Sequence, residues 1–275
     1  MLNRNLDLNS SASQISFVKI FGERNTGTNF LESLIKENTN LSVLKHGGNE
    51  IPKNRLDLIW KSIPFPQKQS PMLRRLILDR LIDQQRKDEY CLNFGWKHSL
   101  VDINHLKISP RFNATLFVFL VRNPWRFVSA LHKRPYNLFP GVNVDMLDFV
   151  DSSFLANERD RLPCNFVQSP VEFWNLKVES YFNANSNIGN SLICYYEQIM
   201  QSPDCFLKSL SEYCNISEHL SIPMKSTKGD EKTFDDYQKE AAKYDPLSEL
   251  GETLYLKILG KLNKETLQKT PYMPS

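Results

Sequence analysis

FGERNTGTNFLESL, residues 21–34, follows the apolar run SFVKIF (16–21) and leads into TNFLESLIKEN, where Phe30, Leu31, Leu34 and Ile35 share one helical face. The segment therefore predicts strand, glycine loop and helix. Gly22 and Gly27 have the spacing of G-x-x-x-x-G-K-[ST], a loop whose backbone N–H groups cradle phosphate at a helix N-terminus. The pattern then departs. Thr28 stands where the lysine belongs, and Asn29 where the magnesium-ligating Ser/Thr belongs. Arg24, Asn25, Thr26, Gly27, Thr28 and Asn29 are the candidate anion-binding residues, with Arg24 as a cation beside the cradle. Taken alone, an ordinary glycine turn accounts for the stretch equally well.

The rest of the chain alternates in the same way. LSVLKH (41–46) predicts a second strand, and MLRRLILDRLIDQQRK (72–87) an amphipathic helix. YCLNFGWKH (90–98) reads as a strand, and VDINHLKIS as a short helix. TLFVFLVR (115–122) is apolar almost throughout and predicts a fully buried strand. A helix starts after it, with Asn123 as cap and Pro124 in the first turn. Residues 171–185, 204–216 and 247–262 predict helices, and SLICYY (191–196) another buried strand. The Pro/Asn/Asp-rich residues 135–170 predict a partly helical insertion. The fold class expected is α/β: one domain over residues 1–275, with a mainly parallel sheet flanked by helices and ligands at the carboxyl ends of its strands. Residues 1–15 are expected to be a frayed leader.

Composition excludes little. The chain has 275 residues, 41% hydrophobic and 24% charged, with 34 basic against 31 acidic residues and a net charge of +3. That balance gives no electrostatic footprint for nucleic acid, although an anionic small molecule needs only a few placed cations. The longest apolar run, Leu116 to Val121, is too short to cross a bilayer, and the polar N-terminus lacks a signal peptide's apolar core. The five cysteines contain no C-x-x-C and predict free thiols in a reducing, cytoplasmic compartment.

Three further stretches carry chemistry at predicted strand or loop ends. In FLVRNPWRFVSALHKRPY (119–136), Arg122 ends the buried strand and Ser129 follows in the helix, a guanidinium and a hydroxyl able to grip a phosphate. GWKHS (95–99) offers Lys97 to stabilise charge and His98 as a general base. Lys45–His46 is a second such pair, so His46 competes for the same role. MKSTKGDEKTF (224–234) is a basic loop whose Lys228 and Gly229 can close over an anion. For each, an ordinary structural or solvated role stands beside the functional one.

Together these stretches resemble the sulfotransferase family that uses 3′-phosphoadenosine 5′-phosphosulfate (PAPS). GERNTGTNFLESL resembles the family's 5′-phosphosulfate loop. LVRNPWRFVSALH resembles its 3′-phosphate motif, SLICYYEQIMQSP its YE segment, and STKGD its C-terminal loop. The resemblance spans about Ser16 to Tyr237, in the family's order. It departs in three places. Asn25 aligns with the loop lysine, the interval from Arg122 to Ser129 is one residue short, and GWKHS matches the catalytic segment loosely.

The resemblance implies a P-loop-type α/β fold and PAPS as co-substrate, with adenosine 3′,5′-bisphosphate as product. No metal is expected. The loop Arg24–Asn29 would hold the 5′-phosphosulfate, while Arg122, Ser129, Lys228 and Gly229 would hold the 3′-phosphate. His98 is the preferred base over His46, and Lys97 attends the bridging oxygen. The acceptor expected is a hydroxyl, with an amine second and a saccharide favoured by analogy. Its pocket would be shaped by residues 49–71 and 135–170. A small-molecule kinase and a non-catalytic nucleotide-binding protein remain alternatives.

The broken loop bears on that choice. Kinases rely on Mg²⁺ and the loop lysine to neutralise a highly charged phosphoryl group. A sulfuryl group carries less negative charge, so N–H donors and a few side chains suffice. Turnover of a suitable acceptor is accordingly expected to survive EDTA in a direct transfer assay; strict dependence on Mg²⁺ would point to the kinase instead.

Overall fold

The computed structural model describes residues 14–45, 61, 80, 91–135, 144–224 and 232–274. Its strands are β1 (Phe17–Gly22), β2 (Ser42–Val43), β3 (Thr115–Val121), β4 (Phe154–Leu155), β5 (Phe166–Val167) and β6 (Ser191–Tyr195). β2, β1, β3 and β6 lie in that order in one sheet, every neighbour parallel. Phe17 pairs with Thr115 and Gly22 with Leu120; Phe117 pairs with Ser191 and Val121 with Tyr195. β4 and β5 form a separate antiparallel ribbon.

Helices cover both faces. They are α1 (Thr28–Asn38), α2 (Ile103–Lys107), α3 (Pro124–Lys133), α4 (Met146–Phe149), α5 (Pro170–Asn187) and α6 (Tyr196–Gln201). Then come α7 (Pro203–Ser209), α8 (Phe234–Lys243), α9 (Pro246–Leu250), α10 (Glu252–Lys261) and α11 (Lys264–Gln268). All seven residues of β3 are buried, because side chains on both sides of a covered parallel strand meet a core. On one face Phe21, Phe117, Phe119 and Val121 cluster with Trp125 and Phe127 of α3 and with Phe173, Trp174 and Tyr181 of α5. On the other, Val18, Ile20, Leu116, Val118 and Leu120 cluster with Leu31, Leu34 and Ile35 of α1 and Leu207 of α7. The α/β class expected from the alternating pattern is the class observed.

Local expectations hold where caps are explicit. The Asn123 side chain accepts from the Arg126 amide at 3.2 Å and Pro124 opens α3. Elsewhere the structure corrects them. Residues 91–98 form no strand: Cys91 and Leu92 are helical, and Phe94 (φ 61°) and Gly95 (φ 71°) adopt left-handed conformations that end any extended run. Cys91 is exposed. The second strand shortens to two residues, although the Leu44 amide still bonds the Val18 carbonyl at 2.9 Å. β6 occupies the sheet's edge among the described strands, so only Cys194 in it is buried. The 204–216 helix stops at Ser209, and Gly251 (φ 76°) divides the C-terminal helix into α9 and α10.

The 72–87 helix, apart from Arg80, lies outside the described residues, as do residues 1–13. The five cysteines are free thiols. None of the described helices is long and apolar enough to cross a membrane.

Because β3 is packed from both sides, truncating it is costly. Phe117→Ala is expected to lose about 3–5 kcal/mol in urea unfolding, whereas Ile108→Ala, at a residue 74% exposed, stays within about 0.5 kcal/mol.

Candidate functional site

The chain leaves β1 at Gly22 and turns at once. The Thr26 amide bonds the Glu23 carbonyl at 3.2 Å, and its hydroxyl donates to the same oxygen at 2.5 Å. Asn25 (φ 64°) and Gly27 (φ 87°) are both left-handed. Gly27 is required twice over, since a Cβ there would sit 2.5 Å from the Tyr196 ring as well as at a positive φ. α1 then begins with no side-chain cap, and its first turn of bonds starts with the Leu31 amide on the Gly27 carbonyl. The amides of Thr28, Asn29 and Phe30 are thus left by the helix at the positive end of its dipole. Asn25 fastens the loop to the far end of α3, its amide donating at 3.3 Å to the carbonyls of Ala130 and Arg134.

Lys97 and His98 reach this loop although no strand carries them. The Gly22 amide bonds the Lys97 carbonyl at 2.9 Å, which brings the 95–99 turn to the carboxyl end of β1. Lys97 Nζ donates to Asn29 Oδ1 at 2.5 Å and to Glu32 Oε1 at 2.7 Å. Glu32 also faces Lys45 at 3.5 Å. His98 Nδ1 lies 2.5 Å from the Gly22 carbonyl, an acceptor only, so Nδ1 carries the hydrogen and Nε2 holds the lone pair. Burial, with the Arg24 and Lys97 cations, keeps His98 well below its ordinary range despite the opposing pull of that carbonyl and of Asp160. The ring is neutral at neutral pH, in the tautomer that can accept a proton at Nε2.

Behind the loop is a buried group of four charges. Arg24 pairs fork-to-fork with Asp160, both bonds 3.0 Å, and its Nη1 also reaches Glu23 at 3.1 Å. Lys177, fully buried on α5, donates to Asp160 Oδ1 at 3.0 Å and to the His98 carbonyl, and lies 3.3 Å from Glu23 Oε1. Burial alone would raise Asp160, but Arg24 and Lys177 bring it down to about 2. In Glu23 burial prevails over Lys177 and Arg24, and the carboxyl is raised. Trp96 lies under the Arg24 guanidinium at 4.6 Å and edge-on to His98 at 5.1 Å.

A second cationic group sits at the end of β3. Arg122 donates through Nη1 to the Asn25 carbonyl, lies 4.8 Å over the Tyr196 ring, and is 3.9 Å from Glu197. Trp174 Nε1 holds its carbonyl at 2.9 Å. Ser129 is half-buried on α3, seven residues on.

The structure thus gathers Asn25, Thr26, Gly27, Thr28, Asn29, Lys97, His98 and Arg122 around one loop. Arg24 departs from the expectation of a cation at the cradle: its guanidinium is committed to Asp160 and Glu23 behind it. His46, Lys228 and Gly229 lie outside the described residues. Asp160 and Lys177 were not singled out from the sequence. Lys177 did leave a signal, because it falls on the apolar stripe of Phe173, Trp174, Val178 and Tyr181. Asp160 sits in NERDRLPCN, where nothing separates a buried charge from a solvated one.

Removing one member of the buried group leaves others uncompensated. Asp160→Asn is expected to cost about 3–5 kcal/mol, read from urea unfolding at pH 7. A carboxyl depressed on folding stabilises above its unfolded pKa and loses that contribution as pH falls through the folded one. Between about pH 4 and 2 the wild type should therefore lose stability more steeply than the variant, and parallel acid limbs would contradict the pairing.

No protein-family model matches the chain. No curated protein matches it either. Among solved structures it is similar to the sulfotransferase domain from the Synechococcus PCC 7002 olefin synthase, at 13% identity and TM-score 0.44, over 95% of this chain and 97% of that one. It is also similar to the sulfotransferase domain from the curacin biosynthetic pathway, at 11% identity and TM-score 0.37, over 90% of this chain and 97% of that one.

Proposed function

We propose that the chain is a PAPS-dependent sulfotransferase acting on a hydroxyl acceptor, with an amine as the lesser alternative. The observation that carries this is the meeting of Lys97 and His98 with the glycine loop: Lys97 Nζ on Asn29 Oδ1 and His98 Nδ1 on the Gly22 carbonyl, both at 2.5 Å. A charge-stabilising group and a proton acceptor stand together at an anion cradle, and the motif resemblance supplies the reaction class.

The residues present suit the co-substrate. Gly27 takes the left-handed turn that brings the chain into α1, and α1 opens without a side-chain cap, leaving its first amides for an anion. Arg122 Nε is a buried donor with no hydrogen-bond partner among the described residues. When bound, the phosphosulfate supplies the sulfuryl group that passes to the acceptor oxygen. Asn25 to Asn29 hold its 5′ end. Arg122 and Ser129 hold the 3′-phosphate, whose absence from AMP makes it the discriminating group. His98 Nε2 takes the acceptor's proton as the oxygen attacks, and Lys97 stabilises the charge that develops on the departing bridging oxygen. Arg24 acts indirectly, through Asp160 and Glu23. The acceptor class proposed is a small molecule or saccharide reached past Trp96, which stands half-buried beside His98.

His98→Ala is expected to lower kcat by about 10²–10⁴-fold while calorimetric affinity for adenosine 3′,5′-bisphosphate stays unchanged. Since His98 remains neutral well below pH 6.5, wild-type turnover should hold level from pH 7.5 down to 6. Full activity in His98→Ala, with loss in His46→Ala, would move the base to His46.

A further inference from the structure

Three buried polar atoms between the start of α3 and α6 lack hydrogen-bond partners among the described residues: Arg122 Nε, Arg126 Nη1 and Glu197 Oε1. They converge. Arg122 Nε is 3.9 Å from Glu197 Oε1, and Arg126 Nη1 is 4.0 Å from the same oxygen. Each gap is about an ångström beyond a hydrogen bond. Buried donors and acceptors are rarely left unmet, so three this close together mark a spot that one bridging polar group could serve.

We propose that Arg126 is a second cation of the phosphate site begun by Arg122, and that Glu197 is a placeholder between the two guanidiniums that a phosphomonoester displaces. This rests on the assignment of Arg122 to the 3′-phosphate. Arg126 is held to face the spot: its Nη2 donates to the Glu240 carbonyl at 3.0 Å, and its guanidinium lies 4.5 Å over the Tyr244 ring. Arg122 is held from the other side by the Asn25 carbonyl and the Tyr196 ring. The other oxygen of Glu197 is bound separately, accepting from the Tyr272 hydroxyl at 2.5 Å and the Asn123 amide at 3.3 Å. Its Oε1 alone faces the cations.

Charge decides which anion suits the spot. Two guanidiniums carry two positive charges, the carboxylate one negative. A phosphomonoester carries about −1.5 to −2 near neutral pH and offers three acceptor oxygens, so it can meet both unmet donors where one carboxylate oxygen meets neither. Ser129 follows Arg126 by three residues and therefore lies on the same face of α3. Arg122, Arg126 and Ser129 form a graded grip along one helix start.

Calorimetric titration of the full chain with adenosine 3′,5′-bisphosphate and with AMP separates the possibilities. The wild type should prefer the bisphosphate. Arg126→Ala should cut that preference by about tenfold or more, with AMP affinity changing less than about twofold. Arg126→Lys, which keeps the charge but not the fork, should fall between, and it carries the test if the alanine variant does not fold. Glu197→Gln should bind the bisphosphate more tightly than wild type, because the competing charge is gone. An undiminished preference in Arg126→Ala, or in Arg126→Lys when that variant carries the test, would overturn the role of Arg126. Weaker bisphosphate binding in Glu197→Gln would overturn the displacement of Glu197. A wild type with no preference would fail earlier, at the assignment of Arg122 itself.

Discussion

The fork between Arg24 and Asp160, joined by Lys177, is the interaction on which the site's shape depends. It draws together four segments far apart in sequence: the loop after β1, the 95–99 turn, the β4–β5 ribbon and α5. Each is weak alone. The turn opens on the left-handed residues Phe94 and Gly95 and pairs with no described strand, and the ribbon has two residues in each strand. Charges held at 3.0 Å in a water-excluded interior fix position more tightly than apolar contact does, because both partners are costly to leave unmatched. His98 is oriented by this group through its own carbonyl, which Lys177 holds, and Lys97 is carried along the same turn.

That the two loops of the candidate site open side by side follows from the sheet order. β1 and β3 are adjacent and parallel, so the loops leaving Gly22 and Val121 open on the same edge. The first loop meets an uncapped helix, the second a helix capped by Asn123 with arginines on either side. Tyr196 stands between them, its ring against Gly27 and beneath Arg122.

What the sequence disclosed and withheld divides along physical lines. β3 was legible because a strand buried on both faces must be apolar throughout, and α3 because Asn-Pro is a local start signal. The glycine loop was legible because positive φ and close approach select glycine. GWKH misled because its aromatic and apolar flanks imitate a strand, while Phe94 at φ 61° is a conformation composition does not announce. Arg24 misled for a different reason. Sequence gives a charge its address but not its partner, and Asp160 lies 136 residues away. Glu197 and Arg126 were likewise visible as residues and invisible as a pair.

The keepers of the guanidinium cluster have a consequence for how the protein comes into being. Arg122 and Arg126 leave the ribosome long before Glu240, Tyr244 and Tyr272, whose carbonyl, ring and hydroxyl hold the cluster in position. The parallel pairing of β1 with β3 already spans nearly a hundred residues, a contact whose loop-closure entropy must be met before it stabilises anything. The nascent chain therefore carries Arg126 without its Glu240 and Tyr244 partners until its last helices arrive. A ligand at this cluster could not template the early stages of folding, because the segments that hold Arg126 and Glu197 arrive last.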